Sequence, residues 1–219
     1  MRIVSLVLIA VLSLAAQVAE KANENYKTKE GRAGVASTLT DSSRDERQKP
    51  KELVAALELK PGMVVADVGT GAGYMLPYLS EAVGPSGKVF AEDVYPDFVE
   101  TATKKAGSLR NVEFVLGNEK ATNLPPASVD VLFALDAYHH FNYPKDLLAD
   151  FKRVLKNDGR LIIVEYHKNK EAMANGRALE HIRLSVDDSI KEIESAGWRL
   201  VSRKDFIPRV QWMAIFQKM

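Results

Sequence analysis

The 219-residue sequence contains no cysteine. That absence excludes a disulfide framework, a thiolate nucleophile, a cysteine-ligated zinc or iron–sulfur centre and a lipid-modified cysteine. Charge of either sign is also missing as a surplus, with 30 Lys and Arg against 29 Asp and Glu. Because Arg2 is the sole charge in residues 1–16, the remainder is balanced, which argues against a general nucleic-acid binder. No internal repeat or low-complexity tract breaks the chain. With 46% apolar residues it can bury one sizeable core, so one main domain is expected.

Residues 3–16 run mainly apolar behind Arg2, from Ile3 through Leu6, Leu8, Val11 and Leu14 to Ala15 and Ala16. The run is short for a membrane span, which needs about 17–25 apolar residues, and it ends in small side chains. Residues 1–16 therefore read as a secretory signal cleaved after Ala15 or Ala16, with an uncleaved anchor or a wrongly chosen start codon as the alternatives. A twin-arginine pair is absent, so export of an unfolded chain to the periplasm or beyond is expected, with no stable membrane span after cleavage. Residues 17–47 are polar and lack a convincing period, and they read as an N-terminal linker.

From residue 48 onward, apolar runs alternate with helical spacing. Pro50 opens a helix carrying Leu53, Val54 and Leu57, and Lys60-Pro61-Gly62 breaks it. Strands are expected at 63–68, 88–93, 112–116, 128–135, 161–164, 200–203 and 210–217. Helices are expected after Gly73, from Pro96, from Pro144 and after the capping sequence Ser185-Val186-Asp187-Asp188. Asn157-Asp158-Gly159 is expected to stop the Pro144 helix with a left-handed glycine. Trp198 and Trp212 are expected in the core. Such alternation implies an α/β, doubly wound, mostly parallel sheet with helices on both faces, and a ligand at the carboxyl ends of its strands.

The most informative segment is Asp67-Val68-Gly69-Thr70-Gly71-Ala72-Gly73, between an expected strand and an expected helix. Glycines there permit a sharp turn and close approach of a ligand to the backbone. The dinucleotide fingerprint requires glycine three positions after Gly71, where this chain has Tyr74, and no Gly-Lys-Ser/Thr phosphate loop is present. Asp67 at the mouth of the turn repels a pyrophosphate and suits a ligand bearing ammonium and sulfonium groups, as S-adenosylmethionine does. Asp93, at the end of the second strand, is spaced to accept two ribose hydroxyls, and Val94 could lie against an adenine. Asn118, beyond the third strand, offers a two-sided amide to the adenine edge.

These segments, with Asp130 to Leu135 and Leu155-Lys156-Asn157-Asp158-Gly159-Arg160, resemble successive motifs of the class I, Rossmann-like S-adenosylmethionine-dependent methyltransferases. The resemblance spans about residues 48–217 and implies seven strands with a C-terminal antiparallel strand. It also implies a cofactor held by Asp67, Gly69, Gly71, Gly73, Asp93, Val94 and Asn118. Asn118 stands where an aspartate is usual, and Asn157-Asp158-Gly159 replaces the common Pro-Gly-Gly turn. Gln48-Lys49-Pro50 and the tail from His181 to Phe206 further resemble exported, poorly defined bacterial members, for which no acceptor follows.

Methyl transfer is an in-line displacement, so the protein must chiefly align the acceptor and remove a proton where the acceptor carries one. Asp136-Ala137-Tyr138-His139-His140-Phe141 follows the fourth strand on the correct rim and supplies the candidate catalytic residues His140, His139 and Asp136. Neighbouring loop residues tend to point apart, so at most one of the two histidines is expected to reach the substrate, with His140 preferred and Asp136 orienting either an imidazole or the cofactor. No metal is expected, because Asp136, His139, His140, Glu165 and His167 match no standard ligand spacing. Glu165 to Leu184 reads either as a substrate-side lid or as a solvated connection. The expected partner is a small-molecule acceptor. A non-catalytic S-adenosylmethionine binder and a nicotinamide-dependent reductase are the alternatives, and neither the acceptor nor the oligomeric state follows from the sequence.

Overall fold

The computed structural model describes residues 17–41 and 43–219; the expected export signal at 1–16 lies outside the described residues. Among the described residues, three α-helices come first: α1 (Lys29–Leu39), α2 (Arg44–Gln48) and α3 (Pro50–Leu57). The alternating part follows as β1 (Val64–Val68), α4 (Leu76–Val83), β2 (Lys88–Asp93), α5 (Pro96–Ala106), β3 (Val112–Leu116) and β4 (Val129–Leu135). It continues through α6 (Pro144–Val154), β5 (Leu155–Tyr166), α7 (Ala178–His181), α8 (Val186–Ser195), β6 (Trp198–Ile207) and β7 (Gln211–Lys218). Proline occupies the first helical turn of α3, α4, α5 and α6, where its missing N–H leaves no bond unmade. No described helix is long and apolar enough to cross a membrane.

The seven strands form one sheet in the order β3-β2-β1-β4-β5-β7-β6. β1 to β5 run parallel, and β7 is antiparallel to both β5 and β6. The expected α/β fold is present, including the antiparallel last strand. β1 lies between β2 and β4, so the winding reverses there and opens a crevice at the strands' carboxyl ends.

The two-residue period of the strands divides the core into two layers. Ala66, Leu132, Leu161 and Ala214 face the layer completed by Leu148 and Phe151 of α6 and Ile193 of α8. Val65, Phe133, Ile162 and Met213 face the opposite layer with Leu53 of α3, Leu79 of α4 and Ala102 of α5. Burial on both faces explains why the central strands read as continuous apolar runs. Each fully buried large side chain among these contributes about 1.5–3 kcal/mol. Trp198 and Trp212 are both buried in the first layer, as expected.

Two expectations fail. The Asn157-Asp158-Gly159 turn does not stop α6: that helix ends at Val154, and Leu155 is already extended. Pairing jumps from Val129–Leu155 to Val131–Arg160, so the turn is an irregularity inside β5, where the chain bulges without leaving the sheet. Residues 17–47 do not form a plain linker either, since they hold a 3-10 turn at Glu24–Tyr26 and helices α1 and α2 before Gln48. Arg32 Nε donates to both carboxylate oxygens of Asp97 on α5 at 2.9 and 2.7 Å, and Tyr26 stacks on Tyr95 at 5.7 Å between ring centroids. On α2, Asp45 accepts from the hydroxyls of Tyr74 and Tyr78 at 2.8 and 2.7 Å. The segment is thereby fastened over the carboxyl end of the sheet.

Candidate active site

β1 delivers Asp67 and Val68 to the glycine turn. Gly69 has a φ of 73°, and a Cβ there would lie 2.8 Å from the Cβ of Ala137, so only glycine lets the β1 and β4 ends approach this closely. Gly71 has a φ of 56°, and its N–H donates to Asp93 Oδ2 at 2.9 Å. The other oxygen of Asp93 accepts from the N–H of Tyr95 at 3.0 Å. Asp67 Oδ2 accepts from the Thr70 hydroxyl at 2.8 Å. Burial pushes both carboxyl groups up to about 6; the Thr70 hydroxyl opposes the rise at Asp67, and the N–H groups of Tyr95, Gly71 and Val94 oppose it at Asp93.

A cavity of about 1190 Å³ opens at this point. Its floor includes Asp67, Gly69, Gly71, Asp93 and Val94, while Asp136, His139 and His140 line its β4 side. Thus the structure gathers the expected residues around one space, apart from Gly73 and Asn118. Gly73 supports the turn from beneath, against Leu76 and Ala102. Asn118 is exposed, and its Oδ1 accepts from the N–H groups of Lys120 and Ala121 at 2.9 and 3.1 Å. The side chain is thus occupied in closing its own turn, a use asparagine serves well, and its neighbour Glu119 lines the cavity.

At the β4 side, Asp136 does not orient an imidazole. Its half-buried carboxyl group accepts from Gln211 Nε2 at 2.7 and 2.9 Å, and desolvation together with the charge of Glu165 holds its pKa well above the ordinary carboxylate range. Orientation comes from Glu165 at the end of β5, whose Oε2 lies 2.7 Å from His139 Nδ1 and 3.1 Å from the His139 N–H that it accepts. His140 Nδ1 lies 2.7 Å from Asn23 Oδ1, while Asn23 Nδ2 donates to the His140 carbonyl at 2.9 Å. Burial and the neighbouring histidines keep His140 well below its usual pKa.

Both histidines line the cavity, with ring centroids 3.9 Å apart, contrary to the expectation that one would turn away. They belong to the 3-10 turn Tyr138–His140, and a separate polar partner pulls each ring inward. His181 completes the group from the end of α7, its Nε2 3.2 Å from His139 Nε2. Asn23, Tyr26, Glu119, Arg177, His181 and Gln211 are cavity residues that sequence patterns did not select. No fixed spacing relates them to the glycine turn.

A fold of this topology, with its crevice framed by a glycine turn and a strand-end acid, belongs to the Rossmann-like cofactor-binding class. Among known proteins, the model of the methyltransferase domain family matches residues 66–163. The crystal structure of a SAM dependent methyltransferase from Aquifex aeolicus is 31% identical, with a TM-score of 0.77, covering 85% of this chain and 98% of that one. An uncharacterised methyltransferase of Bacillus subtilis is 26% identical over 67% of this chain, and a malonyl-[acyl-carrier protein] O-methyltransferase of a Marinomonas species is 32% identical over 58%. The chain spans 58% and 47% of the lengths of these two curated relatives. The chain belongs to the class I S-adenosylmethionine-dependent methyltransferase family.

Membership makes S-adenosylmethionine the cofactor, and the residues fit it. The cavity exceeds the roughly 300–1,000 Å³ typical of small-ligand sites, leaving room for an acceptor. Asp93 Oδ2 accepts from Gly71 N–H and Oδ1 from Tyr95 N–H, and a carboxylate has further acceptor sites for ribose hydroxyls. The buried acids at the glycine turn favour a cationic ligand over the pyrophosphate of a nicotinamide cofactor.

Proposed function

We propose that this protein transfers the methyl group of S-adenosylmethionine to a small-molecule acceptor, and that it does so after export, with residues 1–16 removed. S-adenosylmethionine, when bound, supplies a methyl carbon activated by its sulfonium. The observation that carries the reading is the convergence on one cavity of the Asp67–Asp93 floor and the His139–His140 wall. Asp93 would take the ribose hydroxyls, Asp67 would balance the ligand's positive charge, and Val94 and Glu119 would border the adenine.

The acceptor enters on the histidine side and carries an ionisable hydroxyl, thiol or amine. His139 and His140 receive or weaken its proton. Of the two, His139 is the better placed base, because a carboxylate behind an imidazole stabilises the cation formed on proton uptake. His140 is backed by a neutral amide, which fixes the ring and lends it no charge.

The test measures transfer of labelled methyl from S-adenosylmethionine to a panel of phenols, thiols and amines. Incorporation that falls about 10²–10⁴-fold in His139→Gln, with cofactor affinity kept, is the expected result for a proton-accepting group. Tight cofactor binding with no transfer to any acceptor contradicts the catalytic reading. Mass measurement of protein from its native host tests export, since retention of residues 1–16 contradicts cleavage.

A further inference from the structure

The sequence holds four histidines, and three of them, His139, His140 and His181, meet at one wall of the cavity. One ring nitrogen from each lies within 4.8 Å of those of the other two. We infer that these three imidazoles form a binding site for one divalent transition-metal ion of the zinc type. The inference rests on the proposed function only for what the ion does, because the acceptor is read as entering on this side.

Hydrogen bonding presets the nitrogens of His139 and His140, whereas His181 Nε2, the donor to His139 Nε2, must shift its proton to Nδ1 when an ion binds. Both oxygens of Glu165 accept backbone N–H groups, from His139 and Tyr166, as a carboxylate does. Its contact with His139 Nδ1 therefore places the ring proton there and leaves a lone pair on Nε2. A carboxylate behind a histidine whose other nitrogen faces a cavity is the arrangement that orients metal-binding imidazoles. At His140 the amide of Asn23 is fixed by its own donation to the His140 carbonyl, so Oδ1 faces Nδ1 and again the lone pair falls on Nε2.

The distances suit a small cation. Zinc–nitrogen bonds of about 2.0–2.1 Å in a tetrahedron set nitrogen–nitrogen edges of roughly 3.3–3.4 Å. His139 Nε2 and His181 Nε2 are 3.2 Å apart. The widest separation, up to 4.8 Å, must close by about 1.4 Å to meet a tetrahedral edge, a shift that rotation of the partly exposed His181 ring can supply. The α7 segment that carries it is anchored by Ala178 and Ile182, which pack with Ala172, Met173 and Tyr166.

His140 and His181 line the cavity together with His139. Arg177 also lines the cavity and opposes a cation, and the Glu165 carboxylate behind His139 offsets it. Three nitrogen ligands leave an open position, as in catalytic rather than structural sites. That position would take the acceptor's oxygen or sulfur, whose proton then leaves to water instead of to an imidazole. His139 and His140 act as ligands in that state.

The test uses the full chain, purified without an affinity tag and stripped with a chelator. Zinc titrated by calorimetry is expected to bind one-to-one, and cobalt(II) is expected to give the visible absorption of a low-coordinate nitrogen site. His181→Gln lies outside the sheet and should weaken zinc binding at least ~10-fold with an unchanged circular dichroism spectrum, while Glu165→Gln should weaken it about 10–100-fold. His167→Gln, at the histidine paired with Asp205, should bind as the unaltered protein does. Failure of the unaltered protein to bind zinc stoichiometrically, or undiminished binding by His181→Gln, overturns the inference. Parallel titration with S-adenosylhomocysteine separates the two readings: binding of that ligand without zinc overturns the metal site alone, and binding of zinc without that ligand overturns the proposed function alone.

Discussion

Asp67→Asn separates the two tasks of a buried acid at the glycine turn. The replacement keeps the shape and leaves an oxygen to accept from the Thr70 hydroxyl. Burial raises the folded-state pKa of Asp67 from 3.8 to about 6. A shift of roughly 2 units corresponds to about 3 kcal/mol for keeping the group ionised at neutral pH. Because the folded pKa is raised, the stability linked to this group is full below about pH 4 and is lost as the pH climbs through about 6. The ligand-free variant should therefore match the parent near pH 4 and exceed it by up to about 3 kcal/mol above pH 7. Urea unfolding followed by fluorescence of the buried Trp198 and Trp212 reads this difference. Cofactor affinity should change in the opposite direction, since the amide no longer balances a cation. Equal stability of the two proteins at pH 7.5, or a difference that persists at pH 4, refutes the reasoning.

Asp93→Ala removes the proposed ribose acceptor and the partner of two backbone N–H groups; calorimetry should show weakened S-adenosylhomocysteine binding, whereas unchanged affinity removes Asp93 from the site. In the parent, affinity for that ligand should fall by up to about tenfold per group for each pH unit below about 6, because Asp67 and Asp93 must give up protons to receive it. Flat affinity from pH 5 to 8 contradicts this linkage. Arg32→Ala cuts the tie between α1 and α5, so limited proteolysis within residues 17–41 should accelerate and bound ligand should slow it; cleavage at the parental rate argues against the tie.

The parts of the site that the sequence made legible are those written locally. The glycine turn and Asp93 lie at strand ends, where the two-residue period, the breakers and a short spacing locate them. Beyond β3, Glu119 and not Asn118 lines the cavity, and turn residues carry no periodicity to say which side chain faces inward. Glu165 and His181 reach His139 across 26 and 42 residues, and Asn23 reaches His140 across 117, separations that no linear pattern encodes. The 17–47 segment reads as linker for a related reason. α1 contains no buried residue, and its Val35 and Leu39 line the cavity instead of filling a core, so the amphipathic signature of a packed helix is missing. At Asn157-Asp158-Gly159, breaker residues sit inside a strand because β5 tolerates a bulge opposite β4.

Titration of the purified full chain with S-adenosylhomocysteine, alongside NADH and ATP, tests the central claim most directly. One-to-one binding of S-adenosylhomocysteine, with no binding of the two phosphorylated ligands, is the predicted result. A folded protein that ignores S-adenosylhomocysteine at millimolar concentration and binds either phosphorylated nucleotide contradicts it.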